Sequence, residues 1–310
     1  MKRALIVGAN GFLGKNLTKH LVEQGVEVCA LIQKGNLLNF QHPLLHCIEF
    51  ELSSLSDVIP MISKPYDVLF HFAWVGVSSS FKNDLELQSQ NLQYISDVIH
   101  FAKALHIKKV VCPGTASEYG CSQEVITGNN TPSPSDAYST IKLKTHEIGQ
   151  KLSDELGIAF IWTLISTAYG AERKDNNLIH YTITSLLKGE TPTFTPLEQQ
   201  WDYIYIDDLV HAFYLLGEKG QGGKVYPIGY GKSEPLRKYV ETIQQLINPA
   251  APLGIGELPY KNGKIDNQII DISALAHDTG FQPQIDFNEG IKRTIEGYLV
   301  HKDNFKVNNI

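Results

Sequence analysis

The chain has 310 residues, 43% of them hydrophobic, and 27 Lys and Arg against 33 Asp and Glu give a formal net charge of −6. That length can bury a large core and carry a second lobe, and the acidic balance excludes the basic footprint of a nucleic-acid binder. Met1-Lys2-Arg3 leads straight into an apolar run and no apolar stretch is long enough to span a bilayer, so a cytoplasmic protein with no membrane partner is expected.

Arg3 to Val7 is a short apolar run followed by Gly8-Ala9-Asn10-Gly11-Phe12-Leu13-Gly14 and a helical stretch from Lys15 to Gln24. Strand, glycine turn and helix together form a dinucleotide-binding context. Gly8 allows the tight turn, Gly11 lets the backbone approach a pyrophosphate, and Gly14 allows the helix to pack on the strand. Gly14-Lys15 suggests a phosphate loop, but the first glycine is one residue too far away and Asn16 replaces the Ser or Thr that would hold magnesium.

Val26 to Ile32 and Leu45 to Leu52 read as further strands, and Asp67 to Ala73 as a fourth. A helix is predicted from Asp84 to His106 on the apolar stripe Leu92, Ile95, Ile99 and Ala102, and a fifth strand over Lys109 to Cys112, ending at Pro113-Gly114-Thr115. Ala159 to Ile165 is a sixth strand. This alternation predicts an α/β fold, a doubly wound parallel Rossmann sheet with its ligand at the carboxyl edge. Residues 1–170, with 201–231 returning to them, would form the dinucleotide-binding domain. Residues 171–200 and 232–310, rich in Pro, Gly and polar groups, would form a smaller, mainly C-terminal substrate lobe. Cys29, Cys47, Cys112 and Cys121 make no Cys-x-x-Cys pair and lie in or beside apolar runs, which suits reduced core thiols; no metal site is predicted.

Tyr138 and Lys142 lie four residues apart, so on a helix both side chains leave the same face. A fixed ammonium beside a phenol favours phenolate and would bring its pKa toward the working range, making Tyr138 a proton carrier and Lys142 its tuner. At the end of the second strand, Leu31-Ile32-Gln33-Lys34 has no acid to hold the ribose hydroxyls that mark NAD. Gln33 and Lys34 could instead meet a 2′-phosphate, which favours NADP(H) and leaves NAD open.

The glycine turn, the run Phe70-His71-Phe72-Ala73-Trp74, Asn91, Thr115 before Glu118-Tyr119-Gly120, and Tyr138-x-x-x-Lys142 occur in order. With Tyr169-Gly170, Trp201-Asp202-Tyr203-Ile204 and the C-terminal Gly280-Phe281-Gln282-Pro283, the chain resembles the extended short-chain dehydrogenase/reductase family. Within it, the resemblance is to the nucleotide-sugar epimerases, dehydratases and 4-ketoreductases, and Trp201 before Asp202 is similar to a CDP-abequose synthase-like branch. The resemblance implies that Tyr138 exchanges a proton with the C4 oxygen of a hexose, Thr115 hydrogen-bonds that oxygen, Lys142 binds the nicotinamide ribose and Asn91 supports the site. It also implies that Glu51 and Leu52 lie near the adenine and that Phe72, Ala73 and Trp74 line the cofactor. Glu118, Thr167 and Asn177 would meet the sugar nucleotide, with a helix N-cap as the rival role for Asn177. Arg173, His180 and Lys261 are further candidates for its diphosphate.

Sugar dehydratases of this kind carry acids one or two places after the catalytic Thr, because removing water needs its own acid and base. Here Ala116 and Ser117 stand there, with Glu118 one place further on. The resemblance therefore implies a 4-ketoreductase acting on a nucleotide-diphosphate (6-deoxy)hexose, with a 4-epimerase holding tightly bound NAD as the alternative, a non-catalytic nucleotide sensor as a third reading, and a homodimer as the assembly.

Overall fold

The computed structural model describes residues 1–120, 124–173, 175, 177–260 and 267–306. Seven parallel strands make its central sheet: β1 (Arg3–Val7), β2 (Glu27–Gln33), β3 (Leu45–Phe50), β4 (Val68–His71), β5 (Lys109–Thr115), β6 (Ala159–Ile165) and a strand at Val225–Ile228. Their order across the sheet is Val225–Ile228, β6, β5, β4, β1, β2, β3. The direction of winding reverses between β1 and β4, which opens a crevice at their carboxyl ends.

The sheet is buried on both faces, which explains why its strands read as continuous apolar runs. In β1, Ala4 and Ile6 belong to one core cluster, while Leu5 and Val7 belong to the other. Helix α1 (Phe12–Glu23) turns Leu17, Leu21 and Val22 inward. Helices α2 (Leu85–Ala104) and α3 (Ala137–Leu156) pack together on the opposite face. Asp84 N-caps α2 by accepting from Leu87 N, and Asp136 with Ser139 forms a capping box that starts α3 directly ahead of Tyr138.

Helix α4 (Leu178–Lys188) comes next, and α5 (Ile206–Lys219) packs beside α1. The remaining helices are α6 (Leu236–Ile247), α7 (Ser273–Thr279) and α8 (Phe287–Lys306). Three two-stranded pairs accompany them: Thr167–Tyr169 with Tyr203–Tyr205, Gln200–Trp201 with Glu234–Pro235, and Thr193–Phe194 with Gly254–Ile255. Asp202 locks this region to the sheet. Its carboxylate is fully buried and accepts from Ser166 Oγ at 3.1 Å and from Tyr230 N and Gly231 N, both at 2.8 Å.

Several predicted boundaries move. β3 stops at Phe50 rather than Leu52, and residues Leu52–Met61 form a 3₁₀ segment that periodicity does not announce. β5 continues past Cys112 to Thr115, because Pro113 and Gly114 keep register with Thr163 and Leu164 of β6. The long helix is shorter at both ends, with Leu92 only half-buried while Ile95, Ile99 and Ala102 are fully buried. Cys29 and Cys112 are buried free thiols as expected, but Cys47 is exposed because β3 is an edge strand; Cys121 lies outside the described residues. No helix among the described residues is long and apolar enough to cross a membrane.

Removing the Asp202 carboxylate would leave three part-buried donors without their acceptor. Asp202→Ala is expected to lower unfolding free energy by about 3 kcal/mol in urea titrations, with Asp202→Asn losing less because its amide oxygen still accepts.

Candidate active site

The first wall of the site is the turn between β1 and α1. Gly8 has φ +86°, and a Cβ there would lie 2.5 Å from Ala73 N at the end of β4. At Gly14 a Cβ would lie 2.3 Å from Gly8 O, so α1 sits directly on the turn. Gly11 is different. A Cβ there would meet only Gly8 O at 3.6 Å, which leaves its outer face open. Gly11 N-caps α1 without a side-chain hydrogen bond, and the first turn has no acid. The helix therefore presents its amide N–H groups and positive end to an anion.

From this turn a cleft of about 590 Å³ runs to the ends of β2 and β3. Of the residues predicted for a cofactor, Gly8, Asn10, Gly11, Gln33, Lys34, Glu51, Leu52, Phe72, Ala73 and Trp74 line it. Phe12 and Leu13 instead pack against the core behind the turn, and Gly14 is buried between α1 and β1. Phe50, Ser53, Val75, Val77 and Tyr94 also line the cleft. No local motif marks these five, which come from the end of β3, the 3₁₀ segment after it, the loop after β4 and helix α2. Asn10 Oδ1 accepts from Gln33 N at 3.1 Å and so ties the turn to the end of β2. Lys34 is exposed and makes no ion pair among the described residues. The open face at Gly11, the uncapped helix start and the polar far end of the cleft fit a dinucleotide.

Trp74, which lines this cleft, also touches Lys142 and Tyr138. Lys142 is 5% exposed and donates from Nζ to Pro113 O at 2.8 Å. Its ammonium lies 3.6 Å from the Trp74 ring centroid, 5.8 Å from that of Trp162 and 5.9 Å from that of Tyr138. Burial pulls its pKa down to about 8, against the opposing pull of Glu118 and Cys112. The Tyr138 phenol is pushed above its ordinary range by burial first and by Glu118 second, with Arg173 acting the other way. The predicted lowering of Tyr138 by Lys142 is thus not what the structure shows. Desolvation outweighs the ammonium, whose charge is turned toward Trp74 and the Pro113 carbonyl.

Thr115, at the end of β5, is half-buried and caps a short 3₁₀ turn, Ala116–Tyr119, with Oγ1 accepting from Ser117 N at 3.3 Å. Glu118 does not face a substrate as predicted. That turn directs it back under Thr115, where it is 1% exposed, so the places after Thr115 present no accessible acid. Asn91 is not a solvated helix residue. It is 3% exposed, its Oδ1 accepts from Val75 N at 2.9 Å, and its Nδ2 donates to Val75 O at 3.1 Å. Gln88, fully buried one turn earlier on α2, accepts from Trp74 Nε1 at 2.9 Å and donates to Gly76 O and Phe81 O. Sequence reading missed Gln88, because a lone Gln in a helix carries no signal of its own.

The residues predicted for the sugar nucleotide fall into two groups. Arg173 pairs with Asp175, whose Oδ1 accepts from Nε at 2.7 Å and whose Oδ2 accepts from Nη2 at 2.9 Å. Asn177 N-caps α4, accepting from His180 N at 3.0 Å and donating to Asp175, while His180 Nδ1 meets Tyr298 Oη at 2.6 Å. Thr167, next to the Ala168 carbonyl that accepts from Arg173, has partners of its own, accepting from Trp201 Nε1 at 2.9 Å and donating to Gln268 Oε1 at 3.2 Å. Lys261 lies outside the described residues.

Comparison with known proteins accords with this geometry. Residues 4–229 match the model of the NAD dependent epimerase/dehydratase family. The chain is 25% identical to a dTDP-glucose 4,6-dehydratase of Haemophilus influenzae, over 96% of this chain and 98% of that one. It is 24% identical to a dTDP-4-dehydro-6-deoxyglucose reductase of Escherichia coli, over 94% and 96%. The solved structure of a UDP-N-acetylglucosamine 4-epimerase from Methanobrevibacter ruminantium superposes with a TM-score of 0.86 at 21% identity, covering 97% of this chain and 99% of that one. A UDP-glucuronic acid 4-epimerase variant from Bacillus cereus, solved with NAD, gives a TM-score of 0.82 at 19% identity over 97% and 99%.

Asn91 and Gln88 together hold the loop that forms the inner wall of the cleft. Asn91→Ala is expected to weaken dinucleotide binding about tenfold in fluorescence titrations, through loss of roughly 1 to 2 kcal/mol of loop order. Its Tm should fall as well.

Proposed function

Because the chain belongs to the NAD dependent epimerase/dehydratase family, whose relatives include nucleotide-sugar dehydratases, reductases and epimerases, we propose that it reduces the C4 keto group of a nucleotide-diphosphate (6-deoxy)hexose. The observation that carries this reading is the state of Tyr138. Burial first and Glu118 second push its pKa above the ordinary range, against Arg173, which suits an acid that gives a proton to a carbonyl oxygen as it becomes an alcohol. Ala116, fully buried, and the uncharged Ser117 occupy the places where dehydration would need acids.

In this reading the glycine turn and the start of α1 hold the pyrophosphate of the dinucleotide. When bound, the dinucleotide supplies the hydride. Thr115 hydrogen-bonds the C4 oxygen, which its hydroxyl can do with that oxygen as carbonyl or alcohol. Tyr138 gives that oxygen a proton, and Lys142 keeps a positive charge beside the reacting atoms. Lys34, exposed and unpaired by acids at the cleft's far end, favours NADP(H) through a 2′-phosphate. Residues 171–200 and 232–310 would supply the sugar-nucleotide lobe, Arg173 and His180 would meet its phosphates on exchanging their partners Asp175 and Tyr298, and α2 with α3 would form the face of a homodimer.

The second reading is a 4-epimerase, since the same Thr115, Tyr138 and Lys142 suffice to take a proton and return it. It differs in having to retain its NAD through both half-reactions.

Acid denaturation of the purified protein followed by identification of released dinucleotide separates the two: stoichiometric NAD⁺ sinks the reductase in favour of the epimerase. Protein released empty should oxidise NADPH only when given a 4-keto-6-deoxy sugar nucleotide. Tyr138→Phe should lower kcat at least about a hundredfold, in line with loss of a general acid, and full turnover by that variant would refute both enzymatic readings. Lys34→Ala should weaken NADPH about three- to fivefold, the value of one exposed ion pair, and leave NADH unchanged.

A further inference from the structure

Glu118 is a buried acid that touches no reacting atom in the reaction described above, yet its surroundings are elaborately built. Its Oε1 accepts from Thr115 N at 2.8 Å, and both carboxylate oxygens accept from Trp162 Nε1, at 3.3 and 3.1 Å. The space for this contact exists because residue 114 is glycine. A Cβ there would lie 2.2 Å from Trp162 Nε1 and 2.6 Å from Glu118 Oε1. The Trp162 indole, 1% exposed, is thus held between two charges: the carboxylate at its N–H edge and the Lys142 ammonium over its ring. His146 stacks on the same indole at 5.1 Å and 7°.

We propose that Glu118 is the positioning residue of the proton-transfer couple, a buried carboxylate that orients Thr115 and, across Trp162, sets the charge state of Lys142 and Tyr138. Titratable groups surround it from several elements: beside it on its own turn, Tyr119 is pushed up to about 12 by burial and by Glu118. From β5 comes Cys112, a buried thiol pushed far above its ordinary range. From α3 come Lys142, Tyr138, Asp136 at its cap, and His146, whose pKa burial lowers to about 4. His71 of β4 is held neutral by burial, with a pKa near 3. Arg173 acts on Tyr138 from the other side. Lys142 is therefore the cation that answers Glu118, and burial raises the carboxyl to about 7 against the pull of Thr115 N, Trp162 and Lys142. As pH rises through that value the carboxylate forms, holds Lys142 charged and holds the Tyr138 proton on.

The inference rests on the proposed reaction only for its kinetic arm. In Glu118→Gln the amide oxygen can still accept from Thr115 N and Trp162 Nε1, so the turn keeps its hydrogen bonds and loses only the charge. Infrared difference spectra of the ligand-free protein should show a protonated-carboxyl band that fades as pH rises through about 7 and is absent from Glu118→Gln. The tyrosinate absorbance step that Tyr138→Phe removes should move down by about one pH unit in Glu118→Gln, as expected when a neighbouring like charge is deleted. With turnover in hand, the limb of kcat/KM near neutral pH should vanish in Glu118→Gln while its alkaline limb shifts the same way. Should Glu118→Gln fail to fold, Trp162→Phe removes one donor and must move the carboxyl band to higher pH. A carboxyl titrating in the ordinary range, or tyrosinate and kinetic profiles that superimpose on the parent's, would overturn the proposal and leave Glu118 a cap alone.

Discussion

An ammonium group that is only 5% exposed has lost most of its hydration, and the active site is arranged around that loss. Lys142 recovers part of it from the Pro113 carbonyl, part from the face of Trp74 and part from the field of Glu118. Each of these partners comes from a different element: the end of β5, the loop after β4 and the turn after β5. None can move far without leaving a buried charge unsupported, which costs several kcal/mol. The same low dielectric pushes Tyr138 toward its protonated form and Glu118 toward neutrality. Glu118 and Lys142 therefore lean on each other, while Tyr138 is held up by burial first and by the Glu118 charge second.

The dinucleotide cleft is joined to this unit through the loop after β4. Ala73 lies against Gly8 of the phosphate turn, Trp74 lies over Lys142, and Val75 is bonded twice to Asn91. Gln88 clamps Trp74 and Gly76 from the same face of α2. Residues 88 and 91 are three apart, so one helix face carries both clamps. A short irregular loop thus acquires the rigidity that positioning a reaction requires.

Much of this could be read along the chain. The glycine turn has a strand before it and a helix after it, and Gly8 and Gly14 have distinct steric reasons in the fold while Gly11 is open on its outer face. Thr115 falls at a strand end, and the four-residue spacing of Tyr138 and Lys142 does put both on one helix face. What could not be read was direction. Glu118, three places after Thr115, turns under the strand rather than toward the cleft because a 3₁₀ turn follows β5. Lys142, four places after Tyr138, sends its ammonium to an indole 68 residues upstream, at Trp74. Asn177 reads equally well as ligand or cap, and in the fold its side chain is engaged as the cap of α4.

The sequence by itself determined the alternating elements, the phosphate turn, the residue types available for proton transfer and the absence of acids at positions 116 and 117. These are local properties, set by periodicity, by glycine's missing Cβ and by side-chain chemistry. Only the tertiary structure decided which way the charges lean: that Lys142 is desolvated, that Glu118 is buried beside it, and that Tyr138 holds its proton. Those outcomes depend on burial and on partners brought together from β4, β5, β6 and α3, and a pKa is a property of that surrounding dielectric rather than of the residue that carries it.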